Sequence, residues 1–407
     1  MNAIGLLVVG LLVSGMVLAS VAAAGEPAAP PQPAKVWWDR TEHVETAAAF
    51  AAGTFDGTRA TESGTVTLLP GDRGYPLEGS WTGPVVTTAF PFTELMASFN
   101  LTVSTESGGI LEVRVRLAGE GGEGAAAAAA PGGEASAATA EGWSPWMYMQ
   151  SWGRTLSLVG RVNQFEHGKV AVDIIELTRP AVAYQVRVRL QSFDYDPASF
   201  PQLRRVSVCY SGQLAAERVP QGTLPKELWA RDLKVPFRPQ GDPAIPRALW
   251  SQICSPTSVA MVLAHFGVDT PTLHAAKSIF DPHYDLFGNW GRAVSFAAEH
   301  GLDGYLTRLR SLEQAKAYIA EGVPLILSVR FRKGEVDGFL YEQTAGHLIV
   351  LRGFTEDGDA IINDPASREK GDGVIYRATE LEKAWIGTGS GTAGSGGVAY
   401  VIRPPGK

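Results

Sequence analysis

The stretch "SQICSPTSVAMVLAHFG", residues 251–267, sets one of only two cysteines in a 407-residue chain at the start of an apolar run that ends on glycine. Val259, Val262, Leu263 and Phe266 recur at helical spacing, with Ser255 suited to the cap and Pro256 to the first helical position. The stretch therefore reads as a helix with Cys254 at its mouth. Exposed N–H groups and the macrodipole at a helix N-terminus favour negative charge, which biases a thiol there towards the nucleophilic thiolate. Taken alone, a cysteine beside a helix start is more often small apolar filling.

The residues C-terminal to this helix give the cysteine company. "NWGRAVSFAAEHG" (289–301) and "SLEQAKAYIAEG" (311–322) read as helices stopped by glycine. "PLILSVRF" (324–331), "GHLIVLRGF" (346–354), "DAIINDP" (359–365) and "GVAYVIRP" (397–404) read as strands. Helices first and a mostly antiparallel sheet after them make an α+β domain. A cysteine nucleophile needs a base and a group to orient that base. Of seven histidines, His265, His274 and His300 fall on helices, His43 and His167 lie in the earlier half, and His283 sits in a loop, "DPHYD". His347 opens a strand of the domain that holds the cysteine. The next strand ends in Asn363-Asp364-Pro365, and because side chains alternate along a strand only one of Asn363 and Asp364 can face His347.

These blocks resemble the bacteriocin-processing (double-glycine-leader) peptidase-like family of papain-like cysteine peptidases. The resemblance rests on "ICSPTSVAMVLAHFG", "GNWGRAVSFAAEHGL", "GHLIVLRGFTEDGDAIINDP" and "GVAYVIRP", and it spans about residues 232–405. It implies a papain-like fold, with Cys254 as nucleophile, His347 as base and Asp364 as the orienting residue. It also implies an oxyanion-hole glutamine in the arm before the cysteine. Gln240 of "VPFRPQ" is the match, and Gln252 is the rival. The chain carries no transporter spans and no ATPase, so a double-glycine substrate is not implied for it.

The earlier half reads differently. "GTVTLLP", "LMASFNLTVST", "ILEVRVRLAG", "KVAVDIIEL", "AYQVRVRLQSF" and "LRRVSVCYSG" alternate apolar and polar residues, with no convincing helix between them. An all-β antiparallel sandwich of jelly-roll type is expected over residues 37–212, with a low-complexity loop at 118–142. A linker at 213–231 leads to the peptidase-like domain at 232–407. Trp143, Trp146, Tyr148 and Trp152 form either sandwich core or a gripping surface for a sugar or peptide.

Residues 1–24 read as an export signal, apolar from Ile4 to Val21 and closing on Ala22-Ala23-Ala24, although a retained anchor fits too. A Pro/Ala tether occupies 25–36. The chain is thus expected to be secreted or held in the cell envelope. Even there, Cys209 on a strand and Cys254 at a helix mouth are expected to stay unbonded. A net charge of −7 argues against a nucleic-acid or anionic-membrane partner. No spacing suits a metal, and no cofactor is expected. The expected function is exported peptide hydrolysis on a peptide or protein substrate. The strand domain would position that substrate or bind a cell-surface polymer. The alternatives are cell-wall amidase or transglutaminase-like chemistry on the same residues, or a non-catalytic binding protein.

Overall fold

A computed structural model describes residues 36–71, 74–119, 142–156, 161–214, 223–387 and 392–406. The expected export signal and almost all of the tether lie outside these residues, as does most of the 118–142 loop. Among the described residues, no helix is long and apolar enough to cross a membrane.

Twelve strands precede residue 215, and every ladder between them is antiparallel. The longest, Ile174–Ser192, pairs with Val86–Thr102 from Ile174 to Tyr184 and with Ser107–Leu117 from Ala181 to Ser192, the two overlapping beside register irregularities between Glu176 and Ala183. Gln202–Leu214 lies between Val86–Thr102 and Val36–Val44. "KVAVDIIEL" is not one strand: the chain turns at Val172-Asp173 and doubles back, so that Gly168–Ala171 pairs with the start of Ile174–Ser192. Val172 takes a positive φ of 60° there, which a period-two pattern does not reveal.

The second half is a six-stranded antiparallel sheet. Its order is Asp303–Arg308, Val398–Arg403, Leu325–Phe331, Thr344–Phe354, Ala360–Asn363 and Val374–Tyr376. The Cys254–His265 helix packs on this sheet and is buried on every face from Ser255 to Leu263. The expected linker ends in a helical turn, Lys226–Trp229, with Trp229 set edge-on against Phe354. From Asp232 the chain runs beside the Thr344–Phe354 strand. Leu233 N–H donates to Arg352 O at 2.9 Å. Gly353 permits this, because a Cβ there would lie 2.0 Å from Arg231 O.

The two halves share one continuous apolar core. The Trp290–Glu299 helix lies at the junction, its Phe296 ring 6.3 Å from that of Trp152. Asn100 pairs both amide atoms with the Gly304 backbone, at 2.7 and 3.1 Å, and is fully buried. Asn100 opens the N-x-T sequence Asn100-Leu101-Thr102, and its amide is committed to this contact between the halves. Arg204 donates to Ala298 O in the last turn of the helix and to Leu302 O beyond it, and pairs with Asp303. At the other end, Asp173 accepts from Trp290 N and Gly291 N at 2.9 and 3.3 Å. Gly291 leaves room there for the Gln150 side chain, since a Cβ would sit 1.4 Å from Gln150 Oε1 and displace it.

Burial pushes the Asp173 carboxyl up to about 7, against the pull of the Gly291 and Trp290 N–H groups and with help from the Asp281 charge. Between the unfolded pKa, roughly 4, and that folded value, the native state holds a proton that the unfolded state has released. Stability from this group therefore falls as pH rises through that window and is lowest above it. Asp173→Asn removes the ionisation and keeps an acceptor for the helix. Its stability relative to wild type is expected to climb between pH 4 and 7 and then level, by up to about 4 kcal/mol in all. Calorimetry across pH checks this, and a pH-independent difference would contradict it.

Candidate active site

Cys254 is the first residue of its helix and half-buried. The polar residues after it are spent on structure. Ser255 Oγ meets Tyr400 OH at 3.2 Å, Thr257 Oγ1 donates to Ile253 O at 2.6 Å, and Ser258 Oγ donates to Leu348 O at 3.0 Å. Ser255 is therefore not the cap, and Pro256 stands third in the helix rather than first. Ile253 holds the cap position with no side-chain bond. The Ser258 bond ties the cysteine helix to the strand residue that follows His347.

His347 Nε2 and Asp364 Oδ1 are 2.8 Å apart, both side chains buried. With Nε2 committed, Nδ1 is left for the Cys254 thiol, with which His347 shares a hydrogen bond. Asp364 is fully enclosed, accepting also from Tyr376 OH at 2.7 Å and Ala366 N at 3.0 Å. Asn363 faces the other way. It accepts from Arg352 Nη1 at 2.7 Å and Gly373 N at 3.1 Å and donates to Val235 O at 3.0 Å. The alternation along the strand thus sends Asp364 to the histidine and Asn363 to the supporting arm.

Burial raises the thiol pKa of Cys254. The His347 hydrogen bond and charge, joined by the Leu348 and Ser255 N–H groups, outweigh it and bring the net value below normal. Burial pulls His347 down, and the charge and hydrogen bond of Asp364 more than reverse this, so the imidazolium is favoured. Asp364 is itself held low, its burial outweighed by His347, Tyr376 and Ala366 N–H. A thiol biased towards thiolate, a ring biased towards imidazolium and a carboxyl held low are arranged for nucleophilic attack and proton return. The other cysteine has the opposite setting. Cys209 is buried on its strand, is not disulfide-bonded, and burial pushes it up to about 11.

Two supporting residues had no signal in the sequence pattern, because aromatics on strands and loops read as core. They are Tyr376 on Asp364, and Tyr341, whose ring stands edge-on to His347 at 5.2 Å. The glutamines separate. Gln240 is held by its backbone N–H on Pro365 O at 2.9 Å, next to Asp364, and by its Nε2 on Trp250 O at 2.6 Å. Gln252 is exposed on the wall of the cavity that contains Cys254, with Nε2 on Ala248 O at 3.0 Å. Neither bonds Cys254 among the described residues. Tyr148 and Trp152 of the aromatic cluster are core, while Trp143 and Trp146 flank Arg114, each ring centre 4.7 Å from its guanidinium. No acidic, cysteine and histidine side chains cluster to hold a metal among the described residues.

Comparison with known proteins places these observations. Residues 232–393 match the Peptidase C39-like family, and residues 40–128 match the Peptidase C39 N-terminal domain. Among solved structures, the chain is similar to a double glycine motif protease from an AMS/PCAT transporter, in complex with its leader peptide. That likeness is at 23% identity, over 42% of this chain and 94% of that one, with a TM-score of 0.29. It is also similar to a C39-like peptidase from Bacillus anthracis, at 18% identity over 43% and 96% of the two chains, with a TM-score of 0.30. No curated protein matches.

Proposed function

We propose a function from one premise: the C-terminal part of the chain, residues 232–393, belongs to the Peptidase C39-like family, and the protein is a cysteine peptidase. Its nucleophile is Cys254, its base His347 and its orienting group Asp364. The observation that carries this is the unbroken row from the Cys254 thiol through the His347 ring to the buried Asp364 carboxylate.

In the reaction, the Cys254 thiolate attacks a peptide carbonyl carbon and the C–S bond forms. The first-turn N–H of Cys254 and the Gln240 amide hold the oxyanion, with Gln252 as the alternative donor on the cavity wall. His347 passes its proton to the departing amine as the C–N bond breaks, leaving a thioester. Water then gives a proton to His347 and attacks the thioester. The thiolate leaves, and the acid product is released. The N-terminal strands, in our reading a jelly-roll sandwich, are an accessory domain, and the apolar run at 4–21 supports work outside the cytoplasm.

Activity requires Cys254 unprotonated and His347 protonated. Rate is expected to rise with pH through the lowered thiol pKa and to fall only through the raised imidazolium pKa, giving a broad bell whose limbs belong to the coupled pair. Cleavage-site profiling on a proteome, with Cys254→Ala as control, tests the function. New peptide termini that depend on Cys254 are expected. Termini unchanged in the variant would contradict it.

A further inference from the structure

Cys254 opens into a cavity of about 850 Å³, and the C39-like domain supplies only part of its lining. Val36, Trp37, Glu94, Ile174 and Glu176, all from the N-terminal strands, form the rest. We propose that the N-terminal strands are a substrate-selecting wall of the peptidase cleft. An extended peptide lies between the halves with a basic side chain towards Glu176 and an acidic one towards Arg330. This rests on the peptidase reading and goes on to name the substrate class.

The wall is held in place. Arg308 pairs with Glu94 at 2.5 Å and Arg310 with Asp39 at 2.5 Å, each bond crossing from one half to the other. These charges, buried except for a partly exposed Glu94, are matched to each other rather than to a ligand. Asp173 fixes the root of the strand that carries Ile174 and Glu176, through the Trp290 helix, and Trp290 itself lines the cavity. The wall is therefore fixed relative to the thiol.

Two charges on the cavity remain for a substrate. Glu176 is exposed, and its ion pair among the described residues is a solvent-facing one with Lys169 at 3.3 Å. Such pairs are weak and readily exchanged. Arg330, supplied to the lining by the C39-like half, is exposed with no ion pair among the described residues. Arg330 and Ala345 also line a second cavity, of about 790 Å³, to which Arg332 belongs, so the basic side of the cleft continues beyond the first chamber. A space of this size encloses a short peptide segment. Carboxylate on one wall and guanidinium on the other then fix both its direction and its side-chain preference.

The test uses the full-length protein with a chymotryptic digest of a cell extract as the peptide library. Wild type, Glu176→Lys and Arg330→Glu are compared by cleavage-site preference and by kcat/KM on the best peptides. Cys254 alkylation rate serves as a check on the triad. Each reversal is expected to cost about 10-fold in kcat/KM, mainly through KM, and to invert the charge preferred at one position only, with alkylation unchanged. Identical preferences in all three proteins would overturn the inference while leaving the peptidase intact. A wild type that cleaves no peptide, although Cys254 alkylates, would overturn the peptidase reading and this inference with it.

Discussion

Cys254→Ala is expected to lower kcat/KM by a factor of about 10⁴ or more while the fold stays intact. The side chain stands at the first position of its helix and is half-buried, so the substitution removes little packing. Alanine also suits a helix best. His347→Ala should cost a similar factor in rate, but with a different signature in stability. It leaves Asp364, which is fully enclosed, without its cationic partner. Breaking one side of a buried pair costs about 3–5 kcal/mol. Hydrolysis assays with melting curves separate the two: both variants inactive, only His347→Ala markedly less stable. An active Cys254→Ala protein would contradict the mechanism.

Asp364 should divide its two obvious variants. Asp364→Ala removes the partner of His347 and strands Tyr376 OH and the Ala366 N–H, which both point at the carboxylate. Its rate is expected to fall by about 10²–10⁴-fold. Asp364→Asn keeps a carbonyl oxygen for the Nε2–H, and Cys-His-Asn is a working form of this constellation. It is expected to retain activity to within about tenfold. What it loses is charge. Because the Asp364 charge is the foremost contribution raising His347, the alkaline limb of the pH–rate profile should move to lower pH in Asp364→Asn. A role confined to packing would leave that limb in place, so the pH profile distinguishes orientation and charge from mere support.

The elements that carry Cys254, His347 and Asp364 were legible because each depends on local signals. Apolar spacing and a terminal glycine mark the helix, and a β-branched run after Gly-His marks the strand. An Asn-Asp-Pro stop marks the next strand end. What was illegible depends on contacts between distant segments. Ser255 looks like a cap but lies against Tyr400, which no short window can show. Asp173 reads as part of a strand, yet it is the turn that caps a helix on the other half of the molecule. Period-two alternation announced the N-terminal strands without showing that Glu176 and Trp37 would face the thiol. The choice between Asn363 and Asp364 needed only the direction of one pleat, which the pairing of Val350 with Asn363 supplies.

The central claim is that His347, held by Asp364, lowers the thiol pKa of Cys254, and one measurement reaches it without knowledge of the substrate. It is the rate of iodoacetamide alkylation at each cysteine against pH, read by peptide mass spectrometry, in wild type and His347→Ala. Cys254 is expected to react at lower pH than an ordinary thiol, and to lose that advantage in His347→Ala. Cys209, buried and pushed up to about 11, should stay unlabelled throughout as an internal control. A Cys254 that titrates like an ordinary thiol, with the same profile in both proteins, would contradict the account.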